Sequence, residues 1–446
     1  MDIRRRLKYL AEHIPYSIGK LTAHVPYRLR LGREYSTFRA LIERYERASN
    51  AERHEYVIAR LNAIVRHAQQ NIPFYQALYG RSAIEIRTLA DFEALPIISK
   101  SDVREYTKHA QGPTLLNTGG SSGEPVSFYI DRNAWAREWA HMHFIWGLRG
   151  YKQTDLMATM LGKNLGERLY AYNAVHNEIK INPYTYTQHR AKEILSLFEE
   201  FPLRFLQGYP SSIYNFFKVL EVALTDSEME LIRSKVHCCL FSSEYPLPHM
   251  VTYLTDVLGL NYISWYGHSE MCILAYDQYN SGKYRPFATY GYAEEVGRTL
   301  CGTSFHNYSM PLIRYSTGDI VESRKTDQGT LDYFIVKEGR EGDYVDDKAG
   351  NRIPLTSMVF GRHHTIFNIA DYVQILQTTR GTATFYITFG RRIPISIGEA
   401  RSYFDLSNLD LDFNFVFSKE PVRTRAGKLK LKLTMDDVKD HAAHLK

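Results

Sequence analysis

Between residues 115 and 335, short runs rich in β-formers alternate with longer helical stretches, and that alternation restricts the chain to few architectures. Strand-like segments at 126–130, 156–161, 204–206 and 236–242 are interleaved with helical patterns at 134–148, 211–223 and 248–258. Strands joined by helix-length connections have room for crossovers and pair in parallel, so the pattern predicts an α/β domain. Upstream, residues 1–110 read as mainly helical. Leu61-Asn-Ala-Ile-Val-Arg-His-Ala-Gln-Gln carries apolar residues at helical spacing, Asn71-Ile-Pro ends it, and Ser101 and Asp102 open a further turn. Beyond Lys337-Glu-Gly-Arg-Glu-Gly-Asp the pattern changes to short strands punctuated by glycine, such as 384–389 and 413–417, ending in a basic run. A boundary is expected near residue 340. It divides the chain into a helical part (1–110), an α/β core (111–340) and a small C-terminal module (341–446).

Charge narrows the partners. The formal net charge of +6 over 446 residues suits anionic substrates such as nucleotides. It lacks the basic stripe of a nucleic-acid binder. Cys238, Cys239, Cys272 and Cys301 form neither a disulfide framework nor a CxxC pair, so a reducing cytoplasm is expected. No apolar run approaches the ~20 residues of a membrane span. Ile3, Leu7, Leu10 and Ile14 fall at helical spacing among Arg4, Arg5, Arg6 and Lys8, with no apolar signal core behind them. Such a helix either docks on its own protein or rests peripherally on the inner face of an anionic membrane.

Four segments carry chemistry. In Asn117-Thr-Gly-Gly-Ser-Ser-Gly-Glu-Pro, three glycines let the backbone turn its N–H groups inward, and Thr118, Ser121 and Ser122 add hydroxyls. That is the chemistry of a phosphate cradle, though a plain turn has the same composition. Trp265-Tyr-Gly-His-Ser-Glu offers an aromatic ring beside a glycine for a planar base, and a carboxylate four positions later for a hard cation. Read without function, it is a strand end with a turn. Arg314-Tyr-Ser-Thr-Gly-Asp ends in Asp319, which either caps its own turn or accepts the hydroxyls of a ribose. Arg423-Thr-Arg-Ala-Gly-Lys-Leu-Lys-Leu-Lys is either a solvated basic strand or the carrier of one lysine, Lys428, aimed at developing negative charge.

In this order and spacing the four segments resemble the adenylate-forming superfamily of acyl-CoA synthetases, peptide-synthetase adenylation domains and luciferases. The resemblance is greatest to the phenylacetate–CoA ligase branch, through Asn71-Ile-Pro-Phe-Tyr75 and Leu95-Pro-Ile-Ile-Ser-Lys-Ser-Asp102. Within that branch the chain is most similar to the CapK-type proteins encoded with capsule and surface-polysaccharide genes. The likeness spans about residues 55 to 433.

The resemblance implies a large N-terminal domain of mixed sheets flanked by helices, with a small mobile α+β C-terminal domain. It implies ATP and Mg2+ as cofactors, a carboxylic acid as substrate, and an acceptor thiol, amine or hydroxyl on coenzyme A or a sugar. By motif, Thr118, Gly119, Gly120, Ser121, Ser122 and Gly123 would hold phosphates. Tyr266, with Gly267, His268 and Ser269, would face adenine, and Glu270 would bind Mg2+. Asp319 and Arg340 would hold the ribose, Ser243 and Glu244 would flank the adenine and acyl pocket, and Lys428 would serve adenylation. Gly208-Tyr-Pro-Ser-Ser212 would lie beside the acyl group. The sequence departs from the family in three places, one being Asp346-Asp-Lys-Ala-Gly-Asn-Arg-Ile, which blurs where the small domain begins. Glu124 stands where the phosphate loop carries lysine, and after Gly339-Arg340 the acidic hinge position is Gly342, with Asp343 one place late. The expected function is acyl-adenylate formation followed by acyl transfer in surface-polysaccharide assembly. The alternative is a catalytically inactive nucleotide-binding scaffold of such a system.

Overall fold

The structure, a computed structural model, describes residues 14–444 apart from 81, 119–125, 162–164, 184, 245, 247, 339–343, 356–357, 360–361, 363, 371, 390–394 and 423–429. The expected N-terminal helix, most of the phosphate loop, Arg340 and Lys428 therefore lie outside the described residues.

The N-terminal part is helical, and three of its helix starts share one device. Ser49 with Glu52, Thr88 with Asp91, and Ser99 with Asp102 each form a reciprocal capping box. Each box satisfies two backbone donors that the first turn leaves orphaned. Ser99 is thus the cap of the helix Lys100–His109, and Ser101 sits inside its first turn. The helix Asn50–Asn71 buries Val57, Leu61, Ile64, Val65 and Ala68, a single stripe at helical spacing. It gives way to the helix Pro73–Tyr79, which has proline in its first turn, where a missing N–H costs nothing.

A hairpin of β1 (Thr114–Thr118) and β2 (Val126–Ile130) follows, flanking the predicted phosphate loop. The central sheet comprises β3 (Leu156–Met160), β4 (Tyr170–Asn173), β5 (Glu178–Ile181), β6 (Leu203–Gly208), β7 (Cys238–Phe241), β8 (Asn261–Gly267), β9 (Leu274–Asp277) and β10 (Arg285–Pro286). Its order is β10-β9-β8-β7-β6-β3-β5-β4. Strands β3, β5, β6, β7 and β8 pair in parallel, as the alternating pattern predicts, while β4, β9 and β10 pair antiparallel at the edges. The parallel strands end together at Met160, Ile181, Gly208, Phe241 and Gly267, so the loops after them open onto one rim. In open α/β sheets that rim is where ligands bind.

The alternation does not continue to residue 335. A second sheet, β11 (Gly291–Val296), β12 (Thr299–Ser304), β13 (Tyr315–Lys325) and β14 (Leu331–Glu338), is an antiparallel meander in sequence order. Its connections are too short for crossovers. Gly297 at φ 67° and Arg298 alone join β11 to β12, and a two-residue loop permits only a hairpin.

The remaining strands are β15 (Tyr344–Asp346) and β16 (Arg352–Pro354), a hairpin, then β17 (Tyr372–Leu376), β18 (Thr382–Thr388), β19 (Asp412–Ser418) and β20 (Lys432–Leu433), ordered β19-β18-β17-β20. Buried residues from Val345 to Leu431 form a core cluster of their own, apart from the two clusters upstream. No helix among the described residues is long and apolar enough to cross a membrane. The four cysteines are buried and unpaired with one another.

Candidate active site

The rim at the ends of β7 and β8 faces the first residues of β13, and there the structure gathers side chains from distant segments. Thr-Gly-Asp of β13 leaves the ladder. Ser316 pairs with Cys301 and Ile320 with Thr299, so residues 317–319 stand opposite Leu300 alone. Gly318 makes this bulge at φ 83°, a conformation that side chains with a Cβ rarely adopt. The Thr317 hydroxyl ties the bulge down. It donates to the Leu300 carbonyl at 2.8 Å and accepts from the Asp319 N–H at 3.1 Å. Asp319 is thereby presented to the rim. Its carboxylate accepts the Tyr266 hydroxyl at 2.5 Å instead of capping its own turn. The Tyr266 ring is set edge-on against Phe334, with centroids 5.1 Å apart.

Glu270 sits in the turn after β8, buried, with both carboxylate oxygens engaged. Tyr315 donates its hydroxyl to Oε1 at 2.8 Å. His268 lies 3.1 Å from Oε2 through Nδ1, and its Nε2 accepts the Ile273 N–H at 3.2 Å. The Nδ1 atom therefore carries the proton and donates to the carboxylate. Burial pushes the Glu270 carboxyl up, but the His268 contact and the Tyr315 hydroxyl outweigh it and hold the group down at about 2. Tyr315 is raised far above its ordinary value by burial and by the Glu270 charge, so it stays a donor. Gly267 and Ser269 of the same turn are exposed.

Tyr315 had no role in the sequence reading, although it lies inside the quoted Arg-Tyr-Ser-Thr-Gly-Asp segment. Its position is enforced from both sides. Arg314, at φ 53° and buried, makes a two-pronged ion pair with Glu294 at 2.9 and 2.8 Å, and also reaches the carbonyls of Glu93 and Leu95. Ile98 pairs with the segment as a parallel bridge. Its N–H donates to the Arg314 carbonyl at 3.1 Å, and its own carbonyl accepts the Ser316 N–H at 2.9 Å. Farther upstream, buried Tyr75 donates to the Pro311 carbonyl and accepts the Ile313 N–H, both at 3.0 Å. The Asn-Ile-Pro-Phe-Tyr and Leu-Pro-Ile-Ile-Ser-Lys segments thus hold the strand that carries Tyr315 and Asp319.

At the end of β7 the chain makes a tight turn. Glu244 N–H donates to the Ser242 carbonyl at 2.8 Å across Ser243, whose φ is 64°. A three-residue turn of that hand is strained, and it leaves Ser243 exposed and Glu244 buried. Thr118 ends β1, and its continuation through Gly119, Gly120, Ser121, Ser122 and Gly123 lies outside the described residues, as do Arg340 and Lys428. Among the described residues no group of three metal-ligating side chains occurs. A Mg2+ site here would rest on Glu270 together with a ligand's own oxygens. One anionic carboxylate of this kind is the donor set that a phosphate-bound Mg2+ commonly takes.

No protein-family model matches the chain. Over 347 residues it is 21% identical to Protein CapK of Staphylococcus aureus, an alignment that covers 71% of this chain and 73% of that protein. Among solved structures it is similar to 2-hydroxyisobutyryl-CoA ligase in complex with 2-HIB-AMP and CoA in the thioesterification state. That match has a TM-score of 0.52 and 17% identity, and covers 90% of this chain and 94% of that one. The same ligase in the postadenylation state with R3-HIB-AMP matches with a TM-score of 0.51 and 16% identity, over the same shares. With the mixed central sheet and the separate C-terminal core, these matches show that the chain shares its fold with that ligase.

Proposed function

We propose that this chain uses Mg·ATP to activate a carboxylic acid as its acyl-adenylate and then passes the acyl group to a thiol, amine or hydroxyl acceptor. The observation that carries the reading is the convergence at one rim of Tyr266, Asp319 and Glu270, with Glu270 kept anionic. In this reading Tyr266 and the turn after it face adenine, and Asp319 with Arg340 takes the ribose hydroxyls. Residues 118–123 hold the phosphates, Ser243 and Glu244 line the pocket, and residues 341–446 are the mobile module. Glu270 would hold Mg2+, which would supply neutralisation of the phosphate charge. The substrate carboxylate attacks the α-phosphorus, an O–P bond forms, and pyrophosphate leaves. Two anions meet in that step, and Lys428 offsets their repulsion in the transition state. Coenzyme A is one acceptor of the required chemistry, a sugar amine or hydroxyl another, and the likeness to CapK supports a place in surface-polysaccharide assembly.

The test is carboxylate-dependent exchange of labelled pyrophosphate into ATP across aryl, fatty, hydroxy and amino acids. Exchange with one acid, lost by ~10²–10³-fold in Lys428→Ala while ATP still binds, is the expected result. The second reading is a nucleotide-binding scaffold, favoured by Glu124 in place of a loop lysine. It requires ATP binding without exchange for any acid, and no effect of Lys428→Ala. A chain that does not bind ATP at all overturns both.

A further inference from the structure

The helix Pro210–Ala223 starts at the rim, directly after β6, and runs beside the β15–β16 hairpin. Between them lies a cleft of about 500 Å3, well within the size of small-molecule sites. The helix contributes Tyr214, Asn215 and Lys218, which share its half-buried outward face. The other wall comes from the Asp346-Asp-Lys-Ala-Gly-Asn-Arg turn of the hairpin and from Asp410, ahead of β19. None of these residues belongs to the nucleotide site described above.

Most of the charges in the cleft are already taken. Lys218 pairs with Glu221, and the Arg352 guanidinium lies over the Tyr344 ring at 4.2 Å. Asp347 accepts from the Asn351 backbone N–H at 2.7 Å and from its side-chain amide at 2.8 Å. The Asn215 amide and the Asp410 carboxylate, one from each wall, make no side-chain hydrogen bond among the described residues, and the Lys348 ammonium that faces Asp410 is bonded to Asp412. Tyr214 adds an aromatic ring fixed edge-on against Tyr253, with centroids 5.2 Å apart. A carboxylate, a carboxamide and a ring suit a ligand with several hydroxyl or amino donors and one apolar face. They do not suit a phosphate, which would meet Asp410 with Lys218, Arg352 and Lys348 each already engaged.

We propose that this cleft binds a phosphate-free polyhydroxylated ring, a sugar or amino sugar, and that the bound ring ties residues 347–353 to the helix Pro210–Ala223. The inference stands on the lining alone and does not require the adenylation reading. Hydrogen exchange on the full chain tests it, with glucose, galactose, glucosamine, N-acetylglucosamine and glucose 1-phosphate as probes. Expected is saturable protection of both walls by at least one uncharged or cationic sugar, with glucose 1-phosphate weaker. Asn215→Ala is expected to weaken the protecting sugar about tenfold or more, and Asp410→Asn to remove the penalty on the phosphate. Asn215 is half-buried and Asp410 exposed, and unchanged melting temperatures will establish that the variants fold. Protection by no sugar up to tens of millimolar, or protection that misses either wall, overturns the proposal. Pyrophosphate exchange measured on the same samples reads the nucleotide site separately, so failure of one proposal is distinct from failure of the other.

Discussion

The Tyr315 hydroxyl lies 2.8 Å from Oε1 of Glu270 and donates to it in a site closed to water on the tyrosine side. A hydrogen bond to a buried charge contributes roughly 1.5–3 kcal/mol. Tyr315→Phe keeps the ring and removes the donor, so Glu270 loses one of its two anchors and its carboxyl rises. On the adenylation reading, kcat/KM for Mg·ATP then falls about 10–100-fold, the rate equivalent of that range. Titrating Mg2+ in the exchange assay checks this. A variant with unaltered Mg2+ dependence would place the metal elsewhere.

The same pair sets a pH dependence. Glu270 ionises at about 2 in the fold against an ordinary value of 4.5, so the native state favours its charged form. Its contribution to stability is complete above the unfolded value and is lost as pH falls from about 4.5 to about 2. Glu138 and Glu294, raised by burial, act in the opposite sense, so only a difference between variants isolates Glu270. Glu270→Gln is expected to be less stable than the parent at neutral pH, with the gap narrowing below pH ~4.5. Melting temperatures across that window measure it. A gap that stays constant with pH would mean that the carboxylate's charge is not what the fold holds.

Gly318 separates strain from crowding. At φ 83° it has nothing within 4 Å of where a Cβ would sit, so Gly318→Ala meets backbone strain alone, about 1–2 kcal/mol. Gly259, at φ 69° and equally open, carries the same kind of strain just before β8, at the opposite end of that strand from Tyr266. Both alanine variants should lose comparable stability in denaturant melts. Only Gly318→Ala should also weaken ATP, because it moves Asp319 off Tyr266. Equal ATP affinities would show that the bulge does not position the nucleotide.

The parallel pairing of β6, β7 and β8 was legible in the sequence because β6 and β7 are each followed by a helix-length apolar pattern; β5 was not, and the strand read at 126–130 pairs with β1 in a separate hairpin. The antiparallel meander was not, because β11 to β14 carry the same β-forming residues, and only connection length distinguishes hairpin from crossover. Tyr266, Glu270 and Asp319 were legible through their motif order, and the structure places them at one rim. That Asp319 faces Tyr266 depends on a bulge of three residues against one, which no local pattern encodes. Tyr315 was hidden by period. Inside a β-like run a buried tyrosine reads as core, and its partner Glu270 lies 45 positions away.

The Asn-Ile-Pro-Phe-Tyr segment was legible as a helix end and as a family mark, but its physical purpose lies 236 residues downstream. Tyr75 is fully buried and satisfies the Pro311 carbonyl and the Ile313 N–H with one hydroxyl. In Tyr75→Phe both backbone groups lose their partner where water does not reach. Each such loss costs roughly 1–3 kcal/mol, so the variant should be several kcal/mol less stable. The segment 311–313 leads straight into Arg314 and Tyr315, so the loss is not confined to stability. Part of the helix Pro73–Tyr79 should lose hydrogen-exchange protection together with residues 311–316, and Mg2+ dependence should shift in the direction of Tyr315→Phe. Leu89→Ala, at a buried apolar position with no hydrogen bond to that segment, provides the comparison. It should lower stability and leave Mg2+ dependence unchanged. If the two variants behave alike, Tyr75 is only a packing residue and the segment it holds does not set Glu270.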